Sequence, residues 1–126
     1  MAEEGCRDDI TLIASGGIRS GYDIAKAIAL GADGVQVGTS DLIALTCERL
    51  GVCEKGDGCP AGLTTTNPDM ACLVDSCWAR DRIVNLRHAW GLQLKQILYA
   101  LDMKHISELR GRTDTLLYLE KSRGAL

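Results

Sequence analysis

The sequence predicts an α/β fold in which short parallel strands alternate with helices. Residues 10–17 combine a brief β-branched apolar run with a Gly-Gly pair, and residues 34–38 repeat the pattern as Gly-Val-Gln-Val-Gly. A helical pattern follows each of them, over residues 20–31 and over residues 41–50. Strands and helices that alternate at this spacing are typical of a parallel sheet.

The first predicted helix has both of its ends marked. Ser20 is a residue type that caps helix N-termini, and Gly31 is a residue type that ends helices. Its apolar residues recur at helical spacing, as expected for a helix that lies on a sheet. These residues are Ile24, Ala27 and Ile28.

The second predicted helix and the segment after it differ in composition. Thr39 and Ser40 are expected to cap the helix over residues 41–50, and Gly51 is expected to end it. Residues 51–69 are rich in glycine and also contain proline, which predicts a loop.

The C-terminal half predicts a long helix from about Trp78 to Leu101 and a short one over residues 106–109. One face of the long helix is apolar and is expected to pack on the rest of the fold. That face consists of Ile83, Leu86, Trp90, Leu94, Ile97 and Leu101.

Composition argues against several classes of function. The net charge is −3 and charged residues are interspersed, so the sequence lacks a basic surface for nucleic acid. The apolar stretches are far shorter than a membrane span, and the acidic start Met1-Ala-Glu-Glu does not resemble a signal peptide. We therefore expect a cytoplasmic protein with neither a nucleic acid nor a membrane as its partner.

Two glycine-rich corners, each between a strand and a helix, predict a phosphate site. Glycine lets backbone N–H groups approach an anion closely, the helix N-terminus adds partial positive charge, and arginine adds a charge-assisted hydrogen bond. Two consecutive corners that converge on one phosphate are the signature of the last two units of a (β/α)8 TIM barrel. A tight turn without a ligand is the simpler alternative, and the corners alone do not distinguish FMN from other phosphates. The predicted residues are Gly16, Gly17, Ile18 and Arg19 in the first corner and Gly38 and Thr39 in the second.

The chain has six cysteines, and without an export signal a disulfide framework is not expected. Cys47 on the predicted helix and Cys53 and Cys59 on the following loop lie within reach of one small group. Three thiolates suit a 3Fe–4S cluster, or a 4Fe–4S cluster with one outside ligand. A zinc site is one alternative, because Cys72 or Cys77 could supply the fourth ligand. Free thiols without a metal are the other. Packing of Cys72 and Cys77 against the next helix is the simpler expectation for these two residues.

Residues 13–39 resemble the FMN phosphate region of the glutamate synthase large subunit. This stretch alone also resembles 2-hydroxy-acid oxidases and inosine monophosphate dehydrogenases. Two further motifs narrow the resemblance to glutamate synthases. The first is the three-cysteine loop followed by Pro60-Ala61-Gly62, and the second is Gly111-Arg112-Thr113-Asp114, which resembles the motif that closes the family's synthase domain.

The match runs from about Ile10 to Leu119 and is most like the compact archaeal and bacterial glutamate synthase-like proteins. These include the flavin subunit of N-methylglutamate synthase. In one respect the loop departs from the family, because the gap of five residues between Cys53 and Cys59 is one longer than usual.

The resemblance implies both a fold and an activity. It implies the C-terminal portion of a (β/α)8 TIM barrel, made of the last two β/α units plus C-terminal helices, with FMN across its mouth and a 3Fe–4S cluster nearby. Electrons from ferredoxin or an NAD(P)H reductase subunit pass through the cluster to FMN. Reduced FMN converts 2-iminoglutarate, formed from 2-oxoglutarate and ammonia, to L-glutamate, and a glutaminase domain or subunit releases the ammonia from glutamine.

The resemblance also assigns residues. Gly16, Gly17, Arg19, Gly38 and Thr39 match the phosphate corners, while the cluster ligands match Cys47, Cys53 and Cys59. None of the residues is assigned a catalytic role, as suits chemistry that the cofactor performs. A local salt bridge is expected between Arg112 and Asp114.

The sequence supplies two of the eight units of a barrel. We expect a disordered N-terminus over residues 1–9 and a partial FMN-binding TIM-barrel domain over residues 10–126, with the iron–sulfur loop at residues 47–60. The isolated chain is expected to be inactive until the remaining barrel segments, or further copies of the chain, complete it. A phosphate-binding half-barrel without catalysis is the alternative.

Overall fold

A computed structural model of the chain describes residues 5–55 and 59–117. Within those ranges two strands and four α-helices follow one another in the order β-α-β-α-α-α. One 3-10 turn precedes the first strand, and two follow the last helix. The elements are β1 (Ile13–Ser15), α1 (Gly21–Ala29), β2 (Gly34–Gln36), α2 (Thr39–Ala44), α3 (Pro68–Ala71) and α4 (Ser76–Ala100), and the turns are Arg7–Asp9, Ile106–Leu109 and Thr113–Thr115.

The two strands pair in parallel, with Ile13 opposite Gly34 and Ser15 opposite Gln36. This pairing confirms the predicted order of strands and helices in a partial α/β domain. Both strands are shorter than predicted. In β1 the reason is local, because the Leu12 N–H donates to the Asp33 carboxylate before the strand and Gly16 turns into the left-handed region after it. Two strands do not distinguish a TIM barrel from other α/β folds, so the barrel stays a prediction.

Helix α1 begins and ends at the predicted residues. The Ser20 hydroxyl accepts a hydrogen bond from the Asp23 N–H, and Gly31 follows the helix with a φ of +108°. The helix packs so tightly on α4 that a Cβ on Gly21 would lie 2.8 Å from the Trp90 carbonyl oxygen. The N–H of Gly21 donates to Oε1 of Gln93 over 2.8 Å, so α4 fixes the start of α1.

Helix α4 is 25 residues long and confirms the predicted long helix. The Asp75 carboxylate accepts from the Trp78 N–H over 2.7 Å and begins the helix. Trp90 is buried at 4% exposure on the predicted apolar face. The hydrophobic core lies where α1, the Ile106–Leu109 turn and the second half of α4 meet, and its buried members are Ala25, Ile28, Ala29, Ala32 and Leu109.

Helix α2 corrects the prediction of a helix over residues 41–50. It ends after Ala44 in a Schellman motif, because the Cys47 N–H donates to the Leu42 carbonyl and the Thr46 N–H to the Ile43 carbonyl. Thr46 takes a φ of +71°, a position usually held by glycine, so composition gave no sign of this end. Cys47 therefore lies beyond the helix.

The start of α2 also differs from the prediction. Thr39 and Ser40 were expected to cap the helix, but both lie inside it and Gly38 occupies the cap position. Glycine is an accepted residue at helix caps and leaves the backbone there open to approach.

The N-terminus is ordered where the structure describes it. Disorder was expected over residues 1–9, but Arg7–Asp9 form a 3-10 turn. Arg7 fixes this turn by donating to the Asp33 carboxylate over 2.9 Å and to the Ile10 carbonyl over 2.8 Å. Residues 1–4 of that prediction lie outside the described residues. Across the described ranges, the helices lack the length and apolar character needed to cross a membrane.

Candidate phosphate and cysteine sites

The first corner turns directly after β1 through two glycines. Gly16 and Gly17 take φ values of +90° and +70°, which residues with a side chain rarely adopt. A Cβ on either of them, or on Gly38 in the second corner, would find no atom within 4 Å. The backbone of both corners is therefore open to a ligand.

Both corners line one cavity of about 290 Å³. The described residues that line it include two arginines, Arg19 and Arg49, and none is acidic. The structure thus brings the two predicted corners to the same place and surrounds them with positive charge. All the predicted phosphate residues lie on its wall, namely Gly16, Gly17, Ile18, Arg19, Gly38 and Thr39.

Ser40 joins the two corners directly. Its hydroxyl donates a hydrogen bond of 2.5 Å to the carbonyl oxygen of Ile18. Ser40 was expected to cap the helix, and this contact between the corners was not predicted. The only sequence signal was its position immediately after Gly38 and Thr39.

Asp23 determines which groups of Arg19 remain available to an anion. The Asp23 carboxylate accepts from the Arg19 N–H over 3.0 Å and from the Ser20 hydroxyl over 3.2 Å. The Arg19 side chain stays 83% exposed, with its Nε 3.8 Å from the same carboxylate. Arg19 therefore offers its side chain, and not its backbone N–H, to the cavity.

Two arginines of α4 hold α2, and with it the second corner. Arg82 donates from Nε to the Ala44 carbonyl over 3.0 Å, and Arg87 pairs with Asp41 over 2.6 Å. A second cavity of about 530 Å³ lies beside this contact and shares Arg19 and Ser40 with the phosphate cavity.

The three predicted cluster ligands line a second, separate site. Cys47, Cys53 and Cys59 all lie on the wall of one cavity, which has a volume of about 20 Å³. That volume is close to what a single water molecule needs. Within residues 5–55 and 59–117, no three His, Cys, Asp or Glu residues are grouped so that they could hold a metal ion. The structure brings the thiols into one neighbourhood without arranging them as ligands.

Cys59 is the buried member of the three, at 8% exposure. Hydrogen bonds from the side chain and backbone of Thr64, aided by the backbones of Leu63 and Ala61, lower the pKa of the Cys59 thiol to about 7 against the opposing effect of burial. These donors stabilise a thiolate, the form that binds metals. No local sequence pattern predicts the role of Thr64, because its contact with Cys59 depends on how the loop turns back.

A tight turn fixes the segment after Cys59. The Gly62 N–H donates to the Cys59 carbonyl over 3.1 Å, and Gly62 has a φ of +70°. A Cβ on Gly62 would lie 2.1 Å from the Met70 carbonyl oxygen. Only glycine therefore fits where the loop passes under α3.

The remaining cysteines lie outside this cavity where the structure describes it. Cys72 and Cys77 were expected to pack against the next helix, but both are exposed. Cys72 ends the short helix α3, with its thiol directed to the Asp69 carbonyl, and Cys77 lies on the open side of α4. Neither is placed to supply a fourth zinc ligand.

The predicted salt bridge in the C-terminal motif is confirmed. Arg112 donates two hydrogen bonds to the Asp114 carboxylate, of 2.8 and 2.7 Å. The pair lowers the pKa of the Asp114 carboxyl through the hydrogen bond and the charge of Arg112. Its role is to fix the Thr113–Thr115 turn.

Curated relatives of this chain are glutamate synthases. It is 42% identical to "Archaeal glutamate synthase [NADPH]" of Methanocaldococcus jannaschii, over 92% of this chain and 22% of that protein. It is 39% identical to "Archaeal-type glutamate synthase [NADPH]" of Dehalococcoides mccartyi, over 88% of this chain and 22% of the relative. The "Glutamate synthase [NADPH] large chain" of Bacillus subtilis is 31% identical over 94% of this chain and 8% of its own length.

The chain thus spans 22% of the length of the first two relatives. The family model described as "Conserved region in glutamate synthase" matches residues 1–104, most of the chain. Similarity at this level over nine-tenths of the residues agrees with the resemblance carried by the corners and the cysteine loop. This chain belongs to the glutamate synthase family.

Proposed function

We propose that this chain is the FMN-phosphate and iron–sulfur portion of a glutamate synthase-like flavoenzyme. The bound cofactors, an iron–sulfur cluster and FMN, supply electron transfer from a ferredoxin or NAD(P)H reductase partner. The electrons reduce 2-iminoglutarate, which forms from 2-oxoglutarate and glutamine-derived ammonia, to L-glutamate. Our proposal for this chain's own residues is binding and positioning, with catalysis left to the cofactor and to the rest of the enzyme.

The observation that carries the proposal is the shared cavity of the two corners. Gly16, Gly17 and Gly38 present open backbone to it, and Arg19 adds an exposed guanidinium. A phosphate monoester carries close to two negative charges near neutral pH, so it suits an acid-free cavity with two arginines. These residues fit the phosphate of FMN.

The cysteine loop fits an iron–sulfur cluster by the chemistry of its donors. Three thiols share one cavity, and the hydrogen bonds to Cys59 favour its thiolate. Three cysteines match a 3Fe–4S cluster. Because the present cavity of about 20 Å³ is near the size of one water, cluster loading requires the loop to open.

We propose that the chain acts with the remaining segments of a TIM barrel. The described sheet has only β1 and β2, and Ile13 in β1 is 57% exposed. Open strand edges and uncovered apolar side chains favour pairing with further strands. Those strands come from the rest of the enzyme or from further copies of the chain, in the cytoplasm, where a glutaminase domain or subunit also acts.

A second function has one observation in its favour. The small cysteine cavity and its ungrouped thiols also suit a half-barrel that binds FMN or another phosphate without a cluster or catalysis. Such a protein would work through oligomers or a partner.

Cofactor analysis of the chain purified without oxygen tests both functions. The proposal predicts iron and sulfide in cluster stoichiometry and a broad absorbance at the short-wavelength end of the visible spectrum. It also predicts tighter binding of FMN than of riboflavin, which lacks the phosphate. FMN binding without iron would favour the half-barrel. Equal binding of FMN and riboflavin would contradict the phosphate site.

A further inference from the structure

Arg49 lies between the two sites. It lines the phosphate cavity and also the cysteine cavity, and no other described residue lines both. In the sequence it stands two residues after Cys47 and four before Cys53. A single side chain therefore connects the wall of one site to the wall of the other.

The Arg49 guanidinium has no partner among residues 5–55 and 59–117. Every other arginine in those ranges makes a hydrogen bond or an ion pair. An unpaired guanidinium keeps all five of its N–H donors for an anion. Of the two described arginines that line the acid-free phosphate cavity, Arg49 is thus the one without a carboxylate partner in the described ranges. The paired arginines are Arg7, Arg19, Arg80, Arg82, Arg87, Arg110 and Arg112.

The backbone brings Arg49 to this place through two left-handed residues. Thr46 has a φ of +71° and Arg49 a φ of +58°. Residues other than glycine seldom adopt this region, and where they do the site is often functional. Together the two turns reverse the chain after α2, so that Arg49 faces the corners while Cys47 and Cys53 remain at the cysteine cavity.

We propose that Arg49 is a positioning residue that pairs with the FMN phosphate and thereby couples the filling of that site to the position of Cys47 and Cys53. This inference rests on the proposed function. Arg49 adds a second guanidinium to that of Arg19, and two guanidinium groups match the charge of a phosphate monoester. Because Arg49 belongs to the backbone that joins the two cysteines, holding its side chain restrains that backbone.

The first test compares FMN with riboflavin in fluorescence titrations of the full chain. Arg49→Gln is expected to weaken FMN binding by ~10-fold or more, the usual effect of losing one charge-assisted hydrogen bond, and to leave riboflavin unchanged. The FMN affinity of Arg49→Lys is expected to fall between those of the wild type and Arg49→Gln. The matched control is Arg80→Gln, since Arg80 is exposed, pairs with its neighbour Asp81 and lines neither cavity.

The second test measures the coupling through thiol alkylation, followed by mass spectrometry. FMN at saturation is expected to slow the alkylation of Cys47 and Cys53 in the wild type, but not in Arg49→Gln at its own saturating FMN concentration. The exposed Cys72, outside both cavities, is the internal reference.

The outcomes separate this role from the proposed function. Weaker FMN binding together with lost protection supports the role of Arg49. Unchanged FMN affinity in Arg49→Gln overturns it, and so does protection that persists once the variant is saturated. A wild-type chain that does not prefer FMN to riboflavin removes the phosphate site itself, and the role of Arg49 with it.

Discussion

The phosphate corners and the cysteine loop differ in what fixes them. Each corner grows from a strand and leads into a helix, and α1 and α2 are both held on α4 by side chains. In the cysteine loop, residues 45–55 and 59–67 contain neither a strand nor a helix. Strands and helices therefore fix the two corners, while Cys47, Cys53 and Cys59 are positioned by loop contacts alone.

The cysteine loop is itself divided. Its second part is fixed, because Gly62 turns under the Met70 carbonyl and the segment up to Thr64 directs donors at Cys59. Its first part leaves Cys53 exposed. The cysteines therefore differ in their setting, because Cys59 is buried in the fixed part of the loop and Cys53 is exposed in the other part.

The largest expected effect is on the cysteine loop. Cys59→Ala removes the buried thiol with the lowered pKa and is expected to abolish cluster iron, since two thiols hold a cluster poorly. FMN affinity should stay unchanged, because Cys59 does not line the phosphate cavity. Iron analysis after anaerobic reconstitution measures the first effect, and Cys72→Ala is the control. Full iron content in Cys59→Ala would show that Cys59 is not a ligand.

The next effect is on the phosphate corners. Arg19→Gln is expected to weaken FMN binding by ~10-fold and to leave both riboflavin binding and iron content unchanged. Titration of flavin fluorescence measures it, with Lys26→Gln as the control because Lys26 lies on α1 and outside the cavity. Loss of iron in Arg19→Gln would show that Arg19, which does not line the cysteine cavity, also supports the cysteine loop.

A smaller effect is expected where α1, which follows the first corner, packs closely on α4. In Gly21→Ala, the new Cβ would lie 2.8 Å from both the Trp90 carbonyl and the Gln93 Cβ. We expect the free energy of unfolding to fall by about 1–3 kcal/mol, the usual cost of overpacking. Gly91→Ala on α4 is the control, since its Cβ meets no atom within 4 Å and alanine favours helix by roughly 0.5–1 kcal/mol. Urea unfolding measures both, and equal effects would contradict the close approach.

The smallest effect concerns acid. The Leu12 N–H, Arg7 and Arg110 hold the pKa of the Asp33 carboxyl below its usual 3.8, against the effect of burial. Because the folded state favours the carboxylate, its stabilising contribution is present above a pH of about 4 and is lost as pH falls through the lowered pKa.

The unfolding free energy of Asp33→Asn should therefore lie below that of the wild type at neutral pH and approach it as pH falls below about 4. Urea unfolding at several pH values measures the difference. Asp9→Asn in the neighbouring turn, without an ion pair among the described residues, is the control. A difference for Asp33→Asn that stays constant with pH would show that its charge plays no part.

Local signals predicted the first corner and the long helix, and long-range contacts decided what the sequence did not reveal. Ser20 and Gly31 fix the ends of α1 by their own chemistry. The Ser40 bond to Ile18 joins residues 22 positions apart, and the order of Arg7 depends on Asp33, 26 positions away. Neither contact leaves a local pattern.

The end of α2 was missed for a different reason. Thr46 occupies a left-handed position that glycine usually holds, so the sequence lacks the usual sign of a helix end. The helical pattern therefore continues past Ala44, where α2 ends. Arg49 was missed for the same reason, because its place between the cavities depends on that early turn.

The most direct test is an NMR titration of the ¹⁵N-labelled chain with FMN. We expect the backbone amide signals of Gly16 and Gly17 to shift together with those of Gly38 and Thr39, following a single dissociation constant, and riboflavin not to reproduce the shifts. Shifts confined to one corner, or different dissociation constants for the two, would contradict a common phosphate site.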